Sequence, residues 1–99
     1  MTDFMNKKIK SETVDFLFDA ILSLRTREEC YNFFEDLCTV NELLSLSQRF
    51  EVASMLKQHC TYLEIADKTG ASTATISRVN RSLNYGNDGY EMVFNRINK

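Results

Sequence analysis

The clearest structural signals of this sequence lie in residues 61–79, which read TYLEIADKTGASTATISRV. Thr61, followed three residues later by Glu64, forms a capping-box pattern and predicts a helix start. Gly70 supplies a residue that tolerates the positive φ with which helices often end. Ser72 predicts the cap of a second helix directly after this glycine. The stretch therefore reads as a short helix, a tight turn and a second helix.

The apolar positions of the stretch indicate a helix-turn-helix at about residues 61–83. Ala66 has a side chain small enough for the point where two steeply crossed helices meet. The apolar side chains predicted to hold the two helices together are Ile65, Ile76 and Val79. These matches agree in position with one another, so we expect the motif and not an unrelated pair of helices.

The opposite face of the second helix predicts contact with a nucleic acid. It carries small, hydrogen-bonding or basic side chains, which are Ala74, Ser77, Arg78 and Arg81. Such side chains fit the major groove of DNA, and the N–H groups beside Ser72 can bind a phosphate. Although the whole chain carries a net charge of −2, the segment from Lys57 to Arg81 has four basic against two acidic residues. Its local charge agrees with a phosphate-bearing partner.

Helix signals also run through the rest of the chain. Its predicted helix starts are Ser11 and two further capping boxes, Thr26–Glu29 and Thr39–Glu42. Residues 84–89 have the composition of a turn, and an amphipathic helix follows over residues 90–97. The absence of Pro and the presence of only three Gly in 99 residues favour helices joined by short turns. We predict an all-α fold of six helices.

The first helix predicts a second buried surface. Its apolar stripe consists of Val14, Leu17, Phe18, Ile21 and Leu24, and further apolar side chains, Phe16, Ala20 and Leu22, lie outside that stripe. A helix with a wet far face would not carry them. A chain of this length also buries only about 60–70% of its unfolded surface. We expect residues 11–99 to form one domain that shares its core with a second chain, and residues 1–10 to be a flexible arm.

Several classes of protein are not indicated. The cysteines Cys30, Cys38 and Cys60 form no C-x-x-C pair, and His59 is the single histidine, so no catalytic or metal site is predicted. We expect Cys30 to be a small core side chain. The first ten residues lack the apolar run of a signal peptide, and no stretch approaches a membrane span. These features favour a cytoplasmic protein that is not an enzyme and uses no cofactor.

Residues from about Glu42 to Leu83 resemble the bacterial Trp repressor family. The resemblance is carried by Gly70-Ala71, Ala74-Thr75-Ile76, Arg78 and Ser82-Leu83. With QRFEVASML upstream and LNYGNDGY downstream, the chain is most similar to the Trp-repressor-related group of small bacterial regulators. The resemblance implies an interlocked homodimer, in which each chain presents one helix-turn-helix to one half of a palindromic operator. It also implies that Thr73, Ala74 and Ser77 read bases, with Thr61 and Lys68 nearer the phosphates.

The same resemblance implies a pocket in which an indole corepressor lies between two arginines. Arg78 matches the second arginine and Ser82 a nearby serine. The first arginine is Arg49 if the alignment has a one-residue gap, and its position is Gln48 if it has none. Val79 stands where the family has a glycine, and its branched side chain would occupy the space of the indole. We therefore expect L-tryptophan not to be a corepressor here.

The sequence thus predicts a sequence-specific, double-stranded-DNA-binding regulator of the repressor type that acts as a dimer without tryptophan. Two alternatives stay open. One is a helical protein–protein interaction module that uses the acidic first half, where eight acidic residues stand against two basic ones between Glu12 and Glu42. The other is a repressor that responds to an unknown small effector.

Overall fold

The structure is all-α over the residues that it describes. A computed structural model describes residues 10–98, and their contacts divide them into two compact units between Asn41 and Glu42. The helices are α1 (Glu12–Leu22), α2 (Arg27–Leu37), α3 (Val40–Lys57), α4 (Tyr62–Thr69), α5 (Thr73–Tyr85) and α6 (Gly89–Ile97). The predicted six-helix fold class is confirmed. The arm predicted at residues 1–10 lies outside the described residues except for Lys10.

The helices of the first unit begin at side-chain caps. Ser11 Oγ accepts a hydrogen bond from the Val14 N–H at 3.1 Å, and this bond starts α1. Thr26 Oγ1 accepts from the Glu29 N–H at 3.1 Å and starts α2 in the same way. The Glu29 carboxylate accepts from the N–H of Arg25 at 2.8 Å, one residue before the cap residue that the predicted box would have it bind. The sequence therefore predicts both helix starts correctly. It does not predict that the Glu29 carboxylate binds the N–H of Arg25.

The described part of the first unit, residues 10–41, has helices but no buried side chain. Neither α1 nor α2 contains a buried residue, and Phe16 and Leu22 are 78% and 81% exposed. Phe33 and Phe34 contact each other edge to face, with ring centroids 5.6 Å apart. The prediction that Cys30 is a core residue is wrong for the single chain, where Cys30 is exposed. One chain alone gives these two helices no core.

The second unit contains a continuous core. Its buried side chains are Val52, Ala53, Ile65, Ala71, Ile76, Val79 and Phe94. They come from α3, α4, α5, α6 and the turn between α4 and α5. No buried polar side-chain atom among the described residues lacks a hydrogen-bond partner. The helix-turn-helix is therefore packed on an apolar base that the same chain supplies.

Aromatic rings and an ion pair attach α6 to α3. The rings of Phe50 and Phe94 stack with centroids 4.9 Å apart, and the rings of Phe50 and Tyr90 lie tilted to each other at 6.3 Å. Lys57, in the last turn of α3, forms an ion pair with Glu91 of α6. These contacts fasten α6 to α3 beside the buried core.

The turn between α5 and α6 is shorter than predicted. Helix α5 continues to Tyr85 and α6 begins at Gly89, so only residues 86–88 connect them, in place of the expected 84–89. The Gly86 N–H donates to the Ser82 carbonyl oxygen at 2.9 Å and ends α5. A Cβ at Gly86 would overlap this carbonyl oxygen. The composition of residues 84–89 correctly predicts a turn here. It does not predict how far α5 extends, because Asn84 suits the last turn of a helix as well as a turn.

None of the helices in the described part of the chain is long and apolar enough to cross a membrane.

Candidate nucleic-acid interface

The first helix of the motif starts with the predicted capping box. Thr61 Oγ1 accepts from the Glu64 N–H at 3.1 Å, and Glu64 Oε1 accepts from the Thr61 N–H at 2.7 Å. Both bonds satisfy N–H groups that have no partner inside the helix. The box fixes the start of α4 and leaves Thr61 exposed there.

The turn of the motif is tied by hydrogen bonds on both sides of its glycine. Gly70 has φ 75°, and its N–H donates to the Ala66 carbonyl at 2.9 Å. A Cβ at Gly70 would meet nothing within 4 Å, so the positive φ and not crowding favours glycine there. Thr69 Oγ1 donates to the Ile65 carbonyl at 2.7 Å and accepts from the Ala71 N–H at 3.1 Å. The turn therefore has a defined shape.

The N-terminus of α5 suits an anion. Ser72 Oγ accepts from the Thr75 N–H at 3.1 Å and donates to Thr75 Oγ1 at 3.1 Å. The first turn of α5 contains no acidic residue, in contrast to α4, where Glu64 occupies the first turn. Helix N-termini carry a partial positive charge and exposed N–H donors. A phosphate would therefore meet attraction at the start of α5 and no carboxylate.

Helix α5 has one buried and one exposed face. Ile76 and Val79 are 0% and 3% exposed, and both belong to the core. On the other side Ala74, Arg78 and Arg81 are exposed and spaced four and three residues apart, which places them in one row along the helix. The core thus holds α5 from behind while its small and basic side chains stay free of packing.

The structure brings most of the predicted DNA-contacting residues together. Those on α5 or at its cap are Ser72, Thr73, Ala74, Ser77, Arg78 and Arg81. All six are exposed except Ser77, which is half-buried. Thr61 and Lys68 lie at opposite ends of α4 and are exposed as well. The eight residues therefore share no single helix face, but α5 alone presents a compact set.

The residues predicted to line an effector pocket differ in how far they are buried. Val79 is a core residue with 3% exposure, whereas Arg49, Arg78 and Ser82 are exposed. Gln48 is half-buried, and its Nε2 donates to the Thr69 carbonyl oxygen at 3.2 Å. Of the two candidates for the first pocket position, Gln48 is the one whose side chain reaches the helix-turn-helix.

His59 and Cys60 have a structural position at the end of α3. His59 has φ 64°, its N–H donates to the Leu56 carbonyl at 3.0 Å, and the Cys60 N–H donates to the Met55 carbonyl at 3.1 Å. This pattern is the Schellman end of a helix with His59 in the left-handed position. Within residues 10–98 no three His, Cys, Asp or Glu side chains come together as a set that could hold a metal ion.

Two features near the motif were not expected from the sequence. One is the bond from Gln48 to the Thr69 carbonyl. The other is the burial of Val52 and Ala71, which are 0% and 5% exposed. Val52 lies one helical turn after Gln48, so both are on the α3 face toward the motif. The sequence does not separate this face from its neighbours, because α3 carries apolar residues on several sides.

Comparison with known proteins gives matches over nearly the whole chain. The family model of the Trp repressor protein matches residues 12–98. The uncharacterized protein YerC of Bacillus subtilis (strain 168) is 60% identical over 90 residues, which are 91% of this chain and 86% of YerC.

Two solved structures are similar in fold as well as in sequence. A TrpR-like protein from Eubacterium eligens ATCC 27750 is 70% identical, with a TM-score of 0.91, over 94% of this chain and 96% of that one. A candidate Trp repressor from Staphylococcus aureus is 60% identical, with a TM-score of 0.90, over 94% of this chain and 93% of that one.

Proposed function

Because this chain belongs to the Trp repressor family, we propose that it is a sequence-specific DNA-binding regulator of transcription. The observation that carries the proposal is the exposed row Ala74, Arg78 and Arg81 on a helix whose other face is buried in the core. A helix held in this way can enter a major groove without losing its own support. The function is binding, with no catalytic step and no cofactor, and its place is the cytoplasm.

The side chains of the motif divide into two roles. Thr73, Ala74 and Ser77, in the first turns of α5, read base edges, either directly or through water. Water-mediated reading is the mode for which Trp repressor itself is the standard example, and short side chains leave room for it. The phosphate contacts are assigned to Thr61, Lys68, Ser72, Arg78 and Arg81. Replacing a base-reading residue would change sequence preference, whereas replacing a phosphate-binding one would weaken all duplexes.

The functional form is a homodimer that binds a palindrome. The support comes from the first unit, where Phe16 and Leu22 are largely exposed and no residue of α1 or α2 is buried. Apolar patches of this kind mark association surfaces, and a second copy of the chain presents the matching surface by symmetry. Two chains then offer two α5 helices to two half-sites.

DNA binding is proposed to be independent of tryptophan. Val79 belongs to the same buried cluster as Val52, Ile65 and Ile76. This burial supports the proposal that the Val79 side chain occupies the position that the family resemblance assigns to the indole. A ligand shifts an equilibrium only through different affinities for two states, and a filled slot offers no such difference. A different small effector stays open, with Arg49, Arg78 and Ser82 as exposed candidates around its site.

Selection from a random duplex pool tests the proposed function. A preferred sequence should emerge, and its affinity should fall with rising salt because phosphate contacts release counterions. Arg81→Ala should reduce the logarithmic salt slope by about one unit. Ser77→Ala should instead alter the selected bases. Failure to enrich any sequence would contradict the proposal and favour the interaction module.

Calorimetry and binding titrations test the tryptophan proposal. The parent protein should take up no L-tryptophan, and its affinity for the selected duplex should be the same with and without it. Val79→Gly should weaken DNA binding, in part because Gly costs about 1 kcal/mol in a helix interior. A tryptophan-dependent gain in affinity by the parent protein would overturn the proposal.

A further inference from the structure

One hydrogen bond joins the long helix α3 to the turn of the helix-turn-helix. Gln48 Nε2 donates to the Thr69 carbonyl oxygen at 3.2 Å, across 21 positions of sequence. Both residues are half-buried. Carbonyls in the last turn of a helix lack a partner within that helix, and Thr69 is the last residue of α4. The Gln48 side chain therefore satisfies a carbonyl that α4 itself leaves open.

Thr69 is bonded on three sides. Its hydroxyl donates to the Ile65 carbonyl and accepts from the Ala71 N–H, and its own carbonyl accepts from Gln48. Ala71 directly precedes Ser72, the cap of α5. A short chain of hydrogen bonds thus runs from α3 through Thr69 to Ala71, which lies two residues before the helix proposed to read DNA.

The bond lies at the edge of the core. Gln48 and Val52 are one turn apart on the same face of α3, and Val52 is 0% exposed. Apolar packing alone permits some sliding between helices, since it has no directional preference. A hydrogen bond with a fixed donor and acceptor removes that freedom at the place where the motif turns.

We propose that Gln48 is a positioning residue, whose amide fixes the turn of the helix-turn-helix to α3 and thereby fixes the orientation in which α5 meets DNA. The DNA part of this inference rests on the proposed function, whereas the fastening of the turn is measured without DNA. Gln48 touches no base or phosphate in this account. Its effect passes through Thr69 and Ala71.

The test uses Gln48→Met, which keeps the length of the side chain and removes the donor. Gln48→Glu is a second variant of nearly the same shape, and it sets a carboxylate against the carbonyl. Gln58→Met is the matched control, because Gln58 lies just after α3 and its Nε2 bonds only to Ser54, four residues away. Circular dichroism verifies that all three keep the helix content of the parent.

Two readouts without DNA report on the turn. The Thr69 carbonyl and the Gly70 N–H belong to one peptide group, so loss of the bond should shift the amide resonance of Gly70. Exchange of the Ala71 amide proton should become about three- to tenfold faster, the range that one net hydrogen bond of ordinary strength provides. Both changes are expected in Gln48→Met and in Gln48→Glu. Neither change is expected in Gln58→Met.

Affinity for the selected duplex should fall about three- to tenfold in Gln48→Met, with an unchanged salt slope, because no phosphate contact is lost. Unaltered Gly70 and Ala71 signals in both Gln48 variants would overturn the fastening. Altered signals with parental DNA affinity would overturn the positioning role. If the parent protein selects no duplex, the proposed function fails, and the signals of the turn still decide the fastening.

Discussion

The two units of the chain differ in what a single copy can bury. In the second unit, side chains from four helices form a core, with Ile65, Ile76 and Val52 at 0% exposure. In the first unit, α1 and α2 have side-chain caps but no buried residue. Helix formation and core formation therefore have separate causes in this molecule. Caps are enough to place a helix, whereas a core needs a facing surface.

The exposed apolar residues of the first unit support the proposal that a second copy of the chain supplies this facing surface. Phe16 and Leu22 are 78% and 81% exposed in one chain. Covering a side chain of this size contributes about 1.5–3 kcal/mol, so several such residues can hold two copies together. The second unit needs no such partner for its own core. We therefore propose that the first unit serves association and the second unit serves DNA binding.

The largest expected effect is the loss of core packing in the second unit. Ile65→Ala should lower the free energy of unfolding by about 2–5 kcal/mol, because it removes buried methyl groups and leaves a cavity. Urea titration followed by circular dichroism measures the change. Leu63→Ala is the control on the same helix, since Leu63 is 74% exposed and should change stability by no more than about 0.5 kcal/mol. Equal effects of the two substitutions would contradict the assigned core.

The next largest effect is a weaker dimer, which we expect only from substitutions in the first unit. Phe16→Ala should weaken the dimer by about 1.5–3 kcal/mol per chain, and sedimentation over a range of concentrations measures the dissociation. Leu63→Ala serves again as the control, because it removes an equally exposed side chain from the second unit. A parental dissociation constant for Phe16→Ala would show that α1 does not form the contact.

A smaller effect is expected at the turn between α5 and α6. Gly86→Ala should destabilise the protein by about 1–3 kcal/mol, since the added methyl overlaps the Ser82 carbonyl. Gly89→Ala is the matched substitution three residues later, where a Cβ meets nothing within 4 Å. There Ala should be neutral or stabilise the start of α6 by up to about 1 kcal/mol. Thermal unfolding should show a lowered Tm for Gly86→Ala and an unchanged or raised Tm for Gly89→Ala. A Tm lowered equally in both variants would refute the assigned turn geometry.

The smallest effect concerns the ion pair between Lys57 and Glu91, whose side chains are 32% and 52% exposed. Solvent screens such a pair, so Glu91→Gln should cost no more than about 1 kcal/mol, and less at high salt. Urea titrations at low and high salt measure this. A loss as large as that of Ile65→Ala would mean that the attachment of α6 depends on charge and not on its aromatic packing.

The fold class and most of the helix starts were predictable from the sequence because their signals are local. Ser11, Thr26, Thr61 and Ser72 each accept from the N–H three residues later, and this geometry depends on neighbouring residues only. Gly70 is equally local, since its positive φ favours one residue type. These signals locate the helix-turn-helix and the exposed face of α5 without knowledge of the rest of the chain.

The remaining features depend on residues far apart in sequence. The stacking of Phe50 on Phe94 and the bond from Gln48 to Thr69 require knowledge of how α3 is rotated about its axis. That rotation is set by packing, and α3 has apolar residues on several sides. The sequence predicts an end of α5 before residue 84, whereas the helix continues to Tyr85. Asn84 suits a turn and a helix end equally well. Cys30 was expected in a core that one chain does not form.

We propose that two copies of the chain associate through their first units and form one symmetric DNA-binding regulator. Sedimentation of the protein on its selected duplex tests this most directly, because it gives the number of chains for each duplex while the selected sequence gives the symmetry. The account predicts two chains on a palindrome whose half-sites lie about one helical turn, or a multiple of it, apart. One chain on an asymmetric site would contradict it.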